Sequence, residues 1–275
     1  MYRTCVLRDL LLVLVALGSY GCGQGERDPV ALAIRDLGGK VYRDRSAPNS
    51  PVCQVYLYHT TTKDSDVAVL THAKDLQALG LGRTLITSEG LSPLTRLEQL
   101  AELNIARTNC DDRAALYIGA MTHLRVLNVA ETRMSDAGLI HISNLPNLTE
   151  LNLDDTPITD AGLKEIAKLR QLECLSLRRT NIGDAGLEYL QHLPSLRSLD
   201  LVETRVTDRG LKFVANIQSL RELNLWCTAV TDIGILELTK LTNLSRVYLL
   251  ETKVSESGAM KLRHALPSLT VLGDW

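Results

Sequence analysis

Residues 148–171 read LTELNLDDTPITDAGLKEIAKLRQ, and residues 172–195 read LECLSLRRTNIGDAGLEYLQHLPS. Laid over each other, Leu148 falls on Leu172, Leu151 on Leu175, Leu153 on Leu177 and Thr156 on Thr180. Asp160-Ala161-Gly162-Leu163 likewise falls on Asp184-Ala185-Gly186-Leu187. Self-similarity at a fixed period marks a solenoid, in which each unit is one supersecondary piece stacked on the next. The 24-residue period extends both ways, placing Val52, Leu76, Leu100 and Leu124 before this pair and Leu196, Leu220 and Leu244 after it. A threonine keeps the same period from Thr60 to Thr252. Nine units result, and Leu269 with Leu272 opens a tenth after a one-residue insertion.

Each unit divides in two. The LxxLxL half predicts a short strand, its second and third leucines pointing inward with one residue between them. The threonine places a hydroxyl where the chain leaves the strand, positioned to satisfy backbone groups there. In the other half, the aspartate of Thr159-Asp160-Ala161-Gly162-Leu163 is expected to cap a helix by accepting from amides two or three residues on. Leu163, Ile166 and Leu169 follow at helical spacing and should face the strand leucines. Because the aspartate recurs from unit to unit, it reads as structural rather than as a catalytic acid or a calcium ligand. The recurring glycine reads as a packing or backbone requirement.

Outside the array, Asp28-Pro29 has the form of a helix start, with Ala31, Ile34 and Leu37 on one apolar face before Gly38-Gly39. Val41 and Tyr42 then suit an edge strand. Residues 28–51 are expected to form an N-terminal cap, residues 52–268 the nine repeats and residues 269–275 a closing half-repeat. Residues 1–22 differ: Arg3 and Arg8 precede an apolar run, Leu10 to Leu17, and small residues up to Cys22. That shape predicts an export signal, too short to span a bilayer. Cys22 resembles the acceptor cysteine of a bacterial lipoprotein signal, although Tyr20 is bulkier than that motif carries. Lipidation at Cys22 would anchor the domain to its membrane through the short linker 23–27; ordinary cleavage there is the alternative.

A single phenylalanine, Phe213, and 4% aromatic content imply a core filled by aliphatic side chains. With a net charge of −2, the whole chain offers no basic field for nucleic acid. Within the body, Cys53, Cys110, Cys174 and Cys227 lie at four different places in the repeat, at least two layers apart, so free thiols are expected. No metal-like cysteine or histidine spacing occurs, and no nucleophile or phosphate-loop motif appears. Neither a cofactor nor a small-molecule substrate is implied.

The repeat resembles those of bacterial leucine-rich-repeat proteins with a T-D-A-G-L signature, similar in pattern to cysteine-containing leucine-rich-repeat arrays. The resemblance covers residues 52–275. It implies an α/β horseshoe with parallel strands on the concave face and short helices on the convex face. It further implies a non-catalytic module that binds a macromolecular partner, with no catalytic residues to carry over. Strand-side positions then nominate a protein-binding patch of Asn152, Asp154, Asp155, Arg178, Arg179, Asp200, Glu203, Trp226 and Tyr248. Trp, Tyr and Arg are the residue types most enriched in binding hot spots. Asp155, Arg179 and Glu203 should form an alternating charge ladder on neighbouring strands. Alternatives are a structural or glycan-contacting surface protein and, more remotely, a GTPase-activating-type regulator.

Overall fold

The computed structural model describes residues 28–274. The expected signal with Cys22, the linker 23–27 and Trp275 lie outside the described residues. Within them, one open sheet holds eleven strands in chain order. β1 (Lys40–Arg43) pairs antiparallel with β2 (Val52–Tyr56), and every later pairing is parallel. β3 (Ala78–Gly80), β4 (Glu102–Asn104), β5 (Val126–Asn128), β6 (Glu150–Asn152) and β7 (Cys174–Ser176) follow. β8 (Ser198–Asp200), β9 (Glu222–Asn224), β10 (Arg246–Tyr248) and β11 (Thr270–Leu272) complete the sheet. Partners in the ladder are 24 residues apart, as in Leu151↔Leu175, so the repeat period is also the strand register.

Short helices return the chain on the other side: α1 (Pro29–Asp36) ahead of the array, then α2 (Asp64–Val67), α3 (Asp112–Ile118), α4 (Asp136–Ile142) and α5 (Asp160–Ile166). α6 (Asp184–Leu190), α7 (Asp208–Val214), α8 (Asp232–Ile235) and α9 (Glu256–Ala265) continue the layer. In the second unit the return is a 3₁₀ segment, Ser88–Arg96, interrupted by Pro93, which lacks the amide an α-helix needs. Strand and helix leucines meet in one continuous core, in which Leu163, Ile166 and Leu169 are all buried against the strand side. No described helix is long and apolar enough to cross a membrane.

The threonines behave as the sequence suggests. Each Oγ1 donates to the carbonyl three residues earlier, as Thr180 does to Leu177 at 2.6 Å, closing the turn out of the strand. Expectation and structure part over the aspartate. The helix N-cap is the residue before it: Thr159 Oγ1 accepts from Ala161 N, and Thr207 Oγ1 from Arg209 N. The aspartate is the first helical residue, and its carboxylate crosses to the next unit. Thr207 donates to Asp184 through both its amide (2.8 Å to Oδ1) and its hydroxyl (2.6 Å to Oδ2). Thr159 binds Asp136 and Thr231 binds Asp208 in the same way. Each aspartate thus ties two layers together, a role that a capping rule confined to one helix does not contain.

That clamp also explains the glycine. A Cβ on Gly210 would lie 2.6 Å from Asp184 Oδ1 and 2.8 Å from Leu187 Cδ1, so the position admits no side chain. The requirement is close packing; a left-handed backbone plays no part in it. At the far end the last strand keeps the 24-residue register, so the expected one-residue insertion does not occur ahead of it. Val271 pairs with Val247 and is buried, while Leu272 pairs with Tyr248 and is exposed. The expected inward role of Leu272 therefore belongs to Val271, because the ladder with β10 holds the 24-residue register. Ahead of the array Asp28 caps α1, accepting from Val30 N at 2.9 Å, and pairs with Arg43 at 2.5 Å.

Cys53, Cys110 and Cys227 are free. Cys174 is disulfide-bonded, which corrects the free-thiol expectation there.

Candidate functional site

Strands β3 to β11 are three residues long, so the outward face is narrower than the sequence pattern suggested. The residue before each threonine, expected to point from the strand toward a partner, sits instead in a left-handed turn: φ is 54° at Asp155, 52° at Arg179 and 54° at Glu203. A non-glycine residue there costs about 1 kcal/mol, and the turn recurs in all nine units because the ladder and the threonine bond leave no other path. These side chains form a rim along the ends of the strands. The charge ladder exists on it. Arg179 holds Asp155 by two bonds (Nε–Oδ1 2.6 Å, Nη2–Oδ2 2.5 Å), and its Nη1 lies 3.7 Å from Glu203. Arg107 pairs with Glu131 further toward the N-terminus.

Beside the rim, the last strand residue is most often asparagine, and its Oδ1 accepts from the amide two residues on. Asn104 serves Ala106, Asn128 serves Ala130, and Asn152 serves Asp154. Of the nominated residues, Asn152 is therefore partly spent on its own turn. Asp154 and Asp200 are buried rather than displayed. Asp154 accepts from Ser176 Oγ (2.5 Å) and Arg178 N (2.9 Å). Asp200 accepts from Val202 N (3.1 Å) and Asn224 Nδ2 (3.2 Å). Burial is the largest influence on both, raising the Asp154 carboxyl to about 6 and shifting Asp200 upward as well, against the opposing charge of Arg178. Arg178 lies between them, its Nε buried without a hydrogen-bond partner.

Ser176, Asn224, Glu222 and Arg246 belong to this network and were not nominated. Glu222 is buried and accepts from Arg246 Nη2 (2.9 Å) and Tyr248 Oη (3.1 Å). The signal was available: Glu222, Arg246 and Tyr248 occupy neighbouring strands at strand-side positions, but nothing in the period shows that Glu222 faces away from water. Trp226 is exposed next to them.

The N-terminal half of the same face is built differently. Tyr56 and Tyr58 stack with ring centroids 5.6 Å apart, and Tyr42 meets Tyr56 edge-on at 5.8 Å. Tyr58 lies over Gly80 and Gly82; a Cβ on Gly82 would come within 3.1 Å of its ring. Between these rings and Asp200 runs a cavity of about 750 Å³, whose walls include Tyr58, Asn104, Asn128, Asn152 and Arg178. Glu203, Trp226 and Tyr248 lie beyond it. Among the described residues no three His, Cys, Asp or Glu side chains converge as metal ligands.

A family model described as Leucine Rich repeat matches residues 120–143, 144–167, 168–190 and 192–215. The fold is a leucine-rich-repeat solenoid. Solved structures of that fold superpose along most of the chain. A Leptospira interrogans LRR protein is 22% identical, covers 80% of this chain and aligns with a TM-score of 0.58. The match spans 59% of that protein's length. An internalin C2 from Listeria monocytogenes is 20% identical, with 90% of this chain and 93% of that one covered and a TM-score of 0.57. The PEPR1–AtPEP1 structure shares 16% identity over 85% of this chain and 36% of that one, with a TM-score of 0.53. No curated protein matches. The leucine-rich-repeat architecture presents its parallel sheet, not its helices, as the grooved surface of this chain.

Proposed function

We propose that this protein is a non-catalytic interaction module of the bacterial cell envelope that binds a protein partner on its concave sheet. The observation that carries the reading is the cavity along that sheet, walled by the strand-side residues in which the repeats differ from one another, with aromatic rings at one end and a charged network at the other. Asp155, Arg178, Arg179, Glu203, Trp226 and Tyr248 supply the polar and aromatic contacts, while Asn152, Asp154 and Asp200 shape the surface from beneath. A solved complex of the same fold, PEPR1–AtPEP1, supports partner binding as a use of this architecture. Export and membrane attachment through a lipid on Cys22 rest on the character of residues 1–22. The glycan-contacting alternative is weaker, because a sugar binder presents a row of free rings, whereas Tyr56 and Tyr58 stack on one another far from Trp226.

Crosslinking with mass spectrometry from membrane extracts tests the reading. The wild-type chain is compared with a folded variant carrying Arg178→Glu, Arg179→Glu and Trp226→Ala. A protein captured by wild type and lost by the variant is the expected result. Equal capture by both removes the partner from this face, and capture by neither favours a structural role.

A further inference from the structure

In a solenoid of this kind all strands start and all helices end on one flank, while strands end and helices begin on the other. The two flanks differ in charge. The eight segments that lead from helix to strand, 71–77 and its repeats at 24-residue spacing to 239–245, carry eight Lys and Arg against three Asp and Glu, a net +5. The eight that lead from strand to helix, 59–65 and its repeats to 227–233, also carry eight Lys and Arg, but against twelve Asp and Glu, a net −4. With Glu165 and Glu237 added, which pair with Lys168 and Lys240 from just outside these segments, the first flank keeps a net +3, with five carboxylates against twelve on the other.

Helix dipoles account for bases in a last turn, but the effect fades within that turn. Arg125, Arg197 and Arg221 lie seven residues past the ends of α3, α6 and α7, outside its reach. All eight bases of the positive flank are exposed. Lys168 pairs with Glu165 of α5, Lys240 with Glu237 of its own 3₁₀ segment Leu236–Lys240, and Arg197 lies 3.5 Å from Glu173. None of the exposed large apolar side chains falls in these segments. The flank is thus a positive strip, about 34 Å long at the spacing of parallel strands, without the apolar anchors on which a protein partner's affinity concentrates.

We infer that this flank is a docking surface for an anionic lipid bilayer. A diffuse negative plane attracts each nearby Lys or Arg without needing a pocket, and the attraction acts within about 8 Å at physiological salt. The opposite flank, held negative by the inter-unit aspartates, turns to water. A solenoid standing on this edge keeps its concave sheet open sideways. The inference requires neither a partner on that sheet nor a lipid on Cys22, so it stands or falls separately from them.

The test is co-sedimentation of the full chain with vesicles of phosphatidylglycerol and phosphatidylcholine in equal parts, and with phosphatidylcholine alone, at low and raised salt. One variant carries Arg96→Gln, Arg125→Gln, Arg170→Gln and Arg197→Gln. Its control carries Arg113→Gln, Arg133→Gln, Arg205→Gln and Arg209→Gln on the opposite flank, with the same change in net charge. Binding gained from the anionic lipid should fall about tenfold or more in the first variant and change less than about twofold in the control. Equal losses in both would show that only total charge matters. A wild-type chain that binds both vesicle types alike, or whose preference ignores salt, would also overturn the inference. If the first variant unfolds by circular dichroism, the pair Arg125→Gln and Arg197→Gln is read the same way, with a smaller loss.

Discussion

The two halves of the concave sheet share one backbone and one register yet are stabilised in different ways. Toward the N-terminus most outward positions, Glu102 excepted, are small or neutral, and Tyr58 fills the space over Gly80 and Gly82. Toward the C-terminus the same positions hold Asp154, Arg178, Asp200, Glu222 and Arg246. Glu222 accepts from Arg246, Asp154 from the Arg178 amide and Asp200 from Asn224, while the Nε atoms of Arg178 and Arg246 stay buried without a partner. A repeat fixes where side chains project and leaves open what they are, so a single scaffold carries an apolar platform beside a polar network.

Removing a member of the network should have the largest effect. Glu222→Ala strands Arg246 and the Tyr248 hydroxyl and is expected to cost about 3 kcal/mol, read from urea denaturation. A loss under about 1 kcal/mol would mean that solvent replaces the carboxylate and that this half is no more buried than the other.

Next in size is a change on the apolar side. Gly80→Val places a Cβ into the rings of Tyr56 and Tyr58 and should cost about 2 kcal/mol by overpacking. The matching position in the sixth unit already holds Ser176, so Ser176→Val probes the contrast from the other half. It relieves no overlap but removes the hydroxyl that Asp154 accepts from. Comparable losses from the two substitutions, with different causes, would fit; no loss at Gly80 would show that the tyrosines are free to swing away.

The smallest effect is in pH dependence. Asp154 titrates near 6 in the folded state against a usual value of 3.8, chiefly because it is buried. The folded protein then binds the additional proton between these values, so the contribution of Asp154 to stability falls as pH rises from about 4 to about 6. Asp232, on the flank, behaves oppositely. The bonds from Ser255 lower its pKa, so its contribution is present above the usual value and is lost as pH falls through the folded one. Asp154→Asn should flatten the first trend and leave the second, as followed by urea midpoints across that range. An unchanged profile would place the Asp154 carboxylate in water.

Much of the molecule was legible in advance because its order is periodic. The 24-residue spacing gave the strands, their parallel register, the helix layer and the threonine bonds, since each depends on residues within one unit or on identical residues one unit away. The aspartate was misread for a physical reason: Asp184 and Thr207 are 23 residues apart, and rules for helix caps look only along one helix. Leu272 was misplaced because a sequence count follows the chain, whereas the strand follows its neighbour's hydrogen bonds. Among candidate site residues, the Asp155–Arg179–Glu203 ladder was foreseen as a neighbour pattern. That Asp154 and Asp200 are withdrawn from the surface was not.

Periodicity alone therefore settled the architecture, because a unit with one apolar face has no stable arrangement except against copies of itself. Tertiary structure decided which polar side chains reach water. Burial, the crossing of Asp184 to Thr207 and the seating of Tyr58 on Gly80 and Gly82 depend on distances between layers, and those distances exist only once the layers are stacked.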